Sequence, residues 1–279
     1  MDVLARIVAD GMSREFGQRV IVENKPGANG IIGTEEAARA TPDGYTMLLV
    51  SVEHVLNASV YNNLPYDPIR DFSPVSDLVT ENYALAVNPA LHAERVKDVV
   101  TLAKQRPGAL TFASWGKGSL AELAGEFLEK KAGIRMVEVP YKGGPPAIAD
   151  LLADRVDMMF TSFSNIVSHI QAGRLLVAGV TSENRAKVLP EVPTFKEQGY
   201  DGFVIGSWRG LVFPAKTPES IVEKTNKIVG TVLANVDVRQ RLTKMGFDIL
   251  GSTPQAFKQL MVGEESRWRK IADDATAHG

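Results

Sequence analysis

A chain of 279 residues, 44% of them hydrophobic, can bury a sizeable core and is expected to form two domains or one large one. Its 31 basic and 33 acidic residues are spread along the sequence for a net charge of -2, so neither a basic face for nucleic acid nor a polybasic stretch for anionic lipid is present. The absence of cysteine excludes a disulfide framework, a thiolate nucleophile and any cysteine metal site, and no run reaches the roughly 18 apolar residues of a membrane span.

The chain opens on a helical pattern. Val3, Leu4, Ile7, Val8, Met12 and Phe16 form one apolar stripe, Asp2 stands where it could cap the free N–H groups, and Gly17 ends the run. Met1 to Arg6 lead directly into this helix and do not read as a signal peptide, so taken literally the chain is cytosolic. A strand is expected at residues 20–22, then a loop over 24–30, a helix through Ala40, a Pro42-Asp43-Gly44 turn and a buried-type strand over 46–50.

The alternation continues, with strands near 84–87, 110–113, 136–139, 156–160 and 175–180 and helices near 96–104, 119–131, 146–153 and 165–172. This order predicts α/β layers with largely parallel sheets. A strand pair around 203–213 follows, then helices over 218–234, 238–245 and 254 to about 277. A parallel α/β lobe normally begins with a central strand, whereas this chain begins inside a helix, so a strand and its following loop are expected to be missing ahead of Asp2.

Extended apolar runs meet polar residues or proline at Ala86-Val87-Asn88-Pro89 and at Ser207-Trp208-Arg209-Gly210. Read as two crossings between domains, they divide the chain into one lobe of residues 1–87 and 209–279 and a second of residues 88–208. Such a division predicts a hinge and a cleft lined by loops at strand C-termini, where open α/β sheets hold their ligands.

Two segments carry the chemistry. Ser114-Trp115-Gly116-Lys117-Gly118-Ser119 and Tyr141-Lys142-Gly143-Gly144-Pro145-Pro146 each run from a short strand through glycines into a helix start. A helix N-terminus offers unpaired N–H groups and about half a positive charge, and glycine lets a ligand approach the backbone, so two such loops facing one cleft suit a carboxylate. Neither loop has a nucleophile with its base nearby, which points to capture of an acid and not to its conversion. In the first loop Ser119 either caps the helix or donates to the ligand, and Lys117 is either a charge for the ligand or solvated.

Other motifs fall short of their chemistry. Ala28-Asn29-Gly30-Ile31-Ile32-Gly33, with Glu53 some twenty residues on, approaches the dinucleotide fingerprint but has alanine where the tight turn needs glycine. A nucleotide-dependent oxidoreductase is the rival reading that rests on it. Gly116-Lys117-Gly118-Ser119 lacks the Lys-Ser/Thr adjacency of a triphosphate loop. His54, His92, His169 and His278 stand at no metal-ligand spacing, so no metal or cofactor is called for. His54 stands apart because Ser51 to His54 follow a strand end, where a binding loop belongs. Trp115 and Trp208 either wall a planar ligand or cover core and hinge, and the charges of the last helix, Glu264, Glu265, Arg267, Arg269 and Lys270, read as a solvated face. A cytosolic effector-sensing domain of the same fold is disfavoured because there is no helix-turn-helix segment.

Five segments occur in order: Glu23-Asn24-Lys25-Pro26-Gly27-Ala28, Pro42-Asp43-Gly44-Tyr45-Thr46, Leu64-Pro65-Tyr66-Asp67-Pro68 with Asp71-Phe72, Val139-Pro140-Tyr141-Lys142-Gly143, and Leu189-Pro190-Glu191-Val192-Pro193-Thr194. Together, over essentially the whole chain, they resemble the substrate-binding proteins of tripartite tricarboxylate transporters, the Bug or TctC-like family. The resemblance implies a type II periplasmic-binding fold whose two α/β lobes close on a small organic acid and deliver it to a membrane permease, with no catalysis and no cofactor. By the same resemblance the carboxylate is held by loop backbone and hydroxyl groups, at Ser51, Glu53, His54, Ser114, Trp115, Gly116, Lys117, Gly118, Ser119, Tyr141, Lys142, Gly143, Phe160, Thr161 and Trp208. It implies a periplasmic location, although the family's leader, first strand and glycine-rich first loop are not in this sequence. Glu53 stands where the family carries small neutral residues and disfavours a second carboxylate nearby, unless Lys117 or a ligand ammonium offsets it.

Overall fold

A computed structural model of the chain describes residues 1–276; His278 and position 277, the expected end of the last helix, lie outside them. Helix α1 (Asp2–Phe16) buries Leu4, Ile7, Val8 and Met12 and is closed by Gly17 at φ 65°. Val3, expected on that stripe, is exposed. Asp2 does not cap the helix either, because its carboxylate accepts from Arg6 Nε at 2.9 Å and from Asn24 Nδ2 at 2.7 Å. Residues 20–22 form no strand: Ile21 is exposed, and among the described residues no strand runs beside them to complete a ladder.

A 3-10 turn (Ala28–Gly30) leads into α2 (Ile31–Ala38), β1 (Leu48–Ser51) and α3 (Glu53–Val60), whose first turn takes in Glu53 and His54 of the expected Ser51–His54 loop. Then come β2 (Phe72–Val87), α4 (Val96–Gln105), β3 (Thr111–Ser114), α5 (Leu120–Ala132), β4 (Val137–Pro140), α6 (Gly144–Leu152), β5 (Met158–Ser162), α7 (Phe163–Gln171) and β6 (Leu176–Val180). The expected strand pair near 203–213 is a single strand, β7 (Gly206–Pro214). It is followed by α8 (Glu219–Ala234), α9 (Val236–Lys244), the unforeseen β8 (Phe247–Ile249) and α10 (Pro254–Thr276).

The described chain divides into two compact units. Unit 1 comprises Met1–Thr80, Trp208–Thr243 and Asp248 onward; unit 2 comprises Glu81–Ser207 and Lys244–Phe247. These boundaries differ from 87/88 and 208/209, because β2 is one 16-residue strand whose first half contributes to unit 1 and whose second half belongs to unit 2.

In unit 1, β1 and β7 pair antiparallel from Leu48↔Val212 to Ser51↔Arg209. Glycines set its closest packing. A Cβ on Gly11 of α1 would stand 2.5 Å from Val232 Cγ1 of α8, and one on Gly210 of β7 would stand 2.1 Å from Phe257 Cζ of α10. In unit 2, β3 lies between β4 and β5 and runs parallel to both, while β2 pairs antiparallel with β5 and β6. The sheets are therefore mixed, not largely parallel. Helices α5 and α6 enforce parallel crossovers only among β3, β4 and β5. Ala84, Ala113, Met159, Phe163, Ile166 and Val180 fill one side of this sheet.

Candidate functional site

Three neighbouring parallel strands of unit 2 run toward the same edge: β3 and β4 end level, Ser114 pairing with Pro140, and β5, in register at Ala113↔Met159, continues past them to Ser162. Each strand feeds a helix: β3 leads to α5, β4 to α6 and β5 to α7. Three helix N-termini therefore gather on one edge, and their partial positive charges favour an anion there. The two glycine loops lie side by side. Tyr141 N donates to Ser114 O at 2.9 Å, and a Cβ on Gly116 would stand 4.0 Å from Pro140 Cβ.

The first loop satisfies most of its own amides. Ser114 Oγ accepts from Gly116 N at 2.8 Å and donates to Glu138, while Ser119 Oγ accepts from Trp115 N at 3.3 Å and Glu122 N at 3.2 Å. Glu122 Oε2 in turn accepts from Gly118 N at 2.5 Å. The expectation that the Gly116 and Gly118 amides grip a carboxylate is thus corrected, because loop side chains already hold both. Burial, which penalises the charged form, raises the Glu122 carboxyl despite the bond from Gly118. Ser119, fully buried at the N-cap of α5, accepts both amide bonds and keeps its hydroxyl proton to donate. Lys117 is exposed.

The second loop is built differently. Gly143, at φ 130°, precedes α6, which has no side-chain cap and whose Pro145 and Pro146 carry no N–H. Only glycine takes that φ without strain, so the chain brings bare backbone to the helix start. Tyr141 cannot serve as the expected donor, since its hydroxyl donates to Asp150 Oδ2 at 2.8 Å. Burial and that carboxylate push the phenol up to about 12. Lys142 is exposed and Gly143 half-buried.

At the third helix start, Thr161 is fully buried and its Oγ1 accepts from Asn165 Nδ2 at 3.1 Å. Ser164 Oγ donates to the buried Glu81 at 2.8 Å and lies 3.1 Å from Ser162 Oγ. Phe160 is not a ligand side chain, because its ring is sealed among Phe195 and Phe203 in the core of unit 2.

The expected residues of unit 1 sit around the end of β1. Ser51 Oγ donates to Glu53 Oε2 at 2.5 Å, and Glu53 opens α3, where a carboxylate suits the helix dipole. His54 is corrected from ligand residue to core residue. It is 4% exposed, its Nε2 bonds Pro68 O at 2.9 Å, and its ring packs on Tyr66 and Phe72. Burial pulls its pKa down to about 4, which makes it a neutral imidazole at pH 7. The Trp208 ring meets Phe257 edge to face at 5.3 Å, as a core-covering residue does.

Sequence reasoning missed Glu81, Ser162, Ser164 and Asn165 around the third helix start, and the buried Arg209 of β7. Ser162, a residue type favoured at helix N-caps, just after the expected 156–160 strand and followed by Ser164 and Asn165, is the sequence signal for three of these; Glu81, in β2, carries none. Among the described residues no three His, Asp or Glu side chains are placed to hold a metal, and no helix is long and apolar enough to cross a membrane.

Comparison with known proteins matches residues 4–276 to the tripartite tricarboxylate transporter family receptor, TctC. The UPF0065 protein in the tcbD-tcbE intergenic region of Pseudomonas sp. strain P51 is 38% identical over 272 residues, 97% of this chain and 81% of that protein. Among solved structures, the periplasmic binding protein BugD aligns at TM-score 0.94 and 32% identity, over 98% of this chain and 92% of its own. MatC from Rhodopseudomonas palustris with bound malate aligns at 0.92 and 30%, over 97% and 94%. An R. palustris protein with adipate aligns at 0.94 and 31%, over 99% and 92%. The match over residues 4–276, on a fold shared with these binding proteins, makes the chain a solute-binding member of the tripartite tricarboxylate transporter receptor family and not an enzyme.

Proposed function

We propose that this protein captures a small mono- or dicarboxylic acid, aromatic and amino-bearing acids included, in the periplasm and hands it to the permease of a tripartite tricarboxylate-type transporter. The observation that supports this most is the gathering of three helix starts on adjacent parallel strands of unit 2, with hydroxyls at Ser119 and Thr161 and an uncapped Gly143-Gly144 backbone. Structural relatives carrying malate and adipate fit that chemistry. The carboxylate sits on the α6 start and the two hydroxyls of unit 2. The crossings of the chain within β2 and at the start of β7 serve as the hinge for capture.

Isothermal titration against a panel of organic acids, beginning with malate and adipate, tests the reading. Saturable binding of at least one acid is the expected result, and silence across the panel removes the proposal.

A further inference from the structure

We propose that Asn165 is the side chain of unit 2 that recognises the acid's carboxylate, and that the indole of Trp115 walls the adjoining carbon skeleton; this rests on the capture reading above. The argument starts from Gly144. A Cβ built there would stand 3.7 Å from Asn165 Nδ2 and 3.9 Å from Trp115 Cη2, the two atoms from elsewhere in the fold that come within 4 Å. The first residue of α6 is thus bordered by one amide nitrogen and one aromatic edge, and the missing side chain leaves that space to a ligand.

The carboxamide is held in place. Asn165 Nδ2 donates one hydrogen to Thr161 Oγ1 at 3.1 Å, which fixes the rotamer, and an amide nitrogen carries a second hydrogen. Thr161, having accepted, still has its own proton to give. Asn165 and Thr161 therefore present donors beside the start of α6, and Trp115 supplies an apolar surface next to them. A neutral donor recognises a carboxylate by geometry without demanding a second charge on the ligand, so a monocarboxylate is held as well as a dicarboxylate.

Replacing Asn165 with aspartate keeps the size and turns the donor into a repelling carboxylate. Against the organic acids that the wild-type protein binds in the panel, N165D is expected to weaken affinity at least tenfold with a melting temperature close to wild type. W115F is expected to lose the change in tryptophan emission that accompanies binding. In the wild-type protein, the side-chain amide resonance of Asn165 should move on titration, which keeps the test valid if N165D fails to fold. An unmoved resonance at saturation, or equal affinity in N165D, overturns the role of Asn165 while capture stands. An emission change that persists in W115F overturns the wall. Failure of the wild-type protein to bind any acid overturns capture and this inference together.

Discussion

The imidazole of His54 stacks on the phenol ring of Tyr66, with centroids 5.9 Å apart and planes 9° from parallel. Phe72 closes the stack edge-on at 4.8 Å, and Pro68 O takes the Nε2 position. His54 thereby ties α3 to the Leu64–Phe72 segment from inside the core of unit 1.

Stability should depend on this residue through its protonation. The folded pKa, about 4, lies below the 6.5 of an unfolded chain, so the neutral ring contributes fully above pH 6.5, and that contribution falls away as the pH drops toward 4. The expected loss is about 3 kcal/mol across that window. Urea denaturation at pH 7, 5.5 and 4 measures it, and His54→Gln should flatten the slope.

Ser119→Ala should cost about 1 kcal/mol of stability, the usual worth of a helix N-cap. The same change frees the Trp115 and Glu122 amides that its hydroxyl accepts from, so the loop loosens and acid affinity falls too. Urea denaturation and titration on the same sample separate the two effects. An unchanged affinity would remove Ser119 from the site.

Gly210→Ala should destabilise unit 1 by about 1–3 kcal/mol, because the new methyl meets the ring of Phe257 and the core has no spare volume. Pairing it with Phe257→Leu should recover part of the loss. A double-mutant cycle in thermal unfolding reads that coupling.

Thr181 joins the two ends of unit 2 that lead to its crossings. Its hydroxyl lies 2.9 Å from Tyr83 O and 2.5 Å from Ile205 O, and Ile205 N donates to Thr181 O at 3.0 Å. Thr181→Val keeps the shape and removes the hydroxyl bonds, with an expected cost of about 1–3 kcal/mol. Hydrogen exchange at the Ile205 amide should speed up in that variant; unchanged protection would show that the hydroxyl does not hold this segment.

The legible parts of the chain were those governed by neighbours in sequence. Helix α1 and its Gly17 stop and the strand-loop-helix order around Ser114–Ser119 and Tyr141–Gly144 follow from 3.6-residue periodicity and glycine's freedom at positive φ alone. The motif series also carried the family from sequence to fold without a coordinate.

What only the tertiary structure decided was who partners whom. Glu122 and Ser114 take the amides of the first loop, Asp150 takes the Tyr141 hydroxyl, Pro68 takes His54, and Asn165 arrives beside Gly144 from another strand's helix. Residues 20–22 have a strand's composition but no partner strand among the described residues, and β2 meets β5 antiparallel while its first half contributes to unit 1. Hydrogen bonds and burial act over a few ångströms in space between residues far apart in the chain, so composition can name the groups that need partners, while folding alone assigns them.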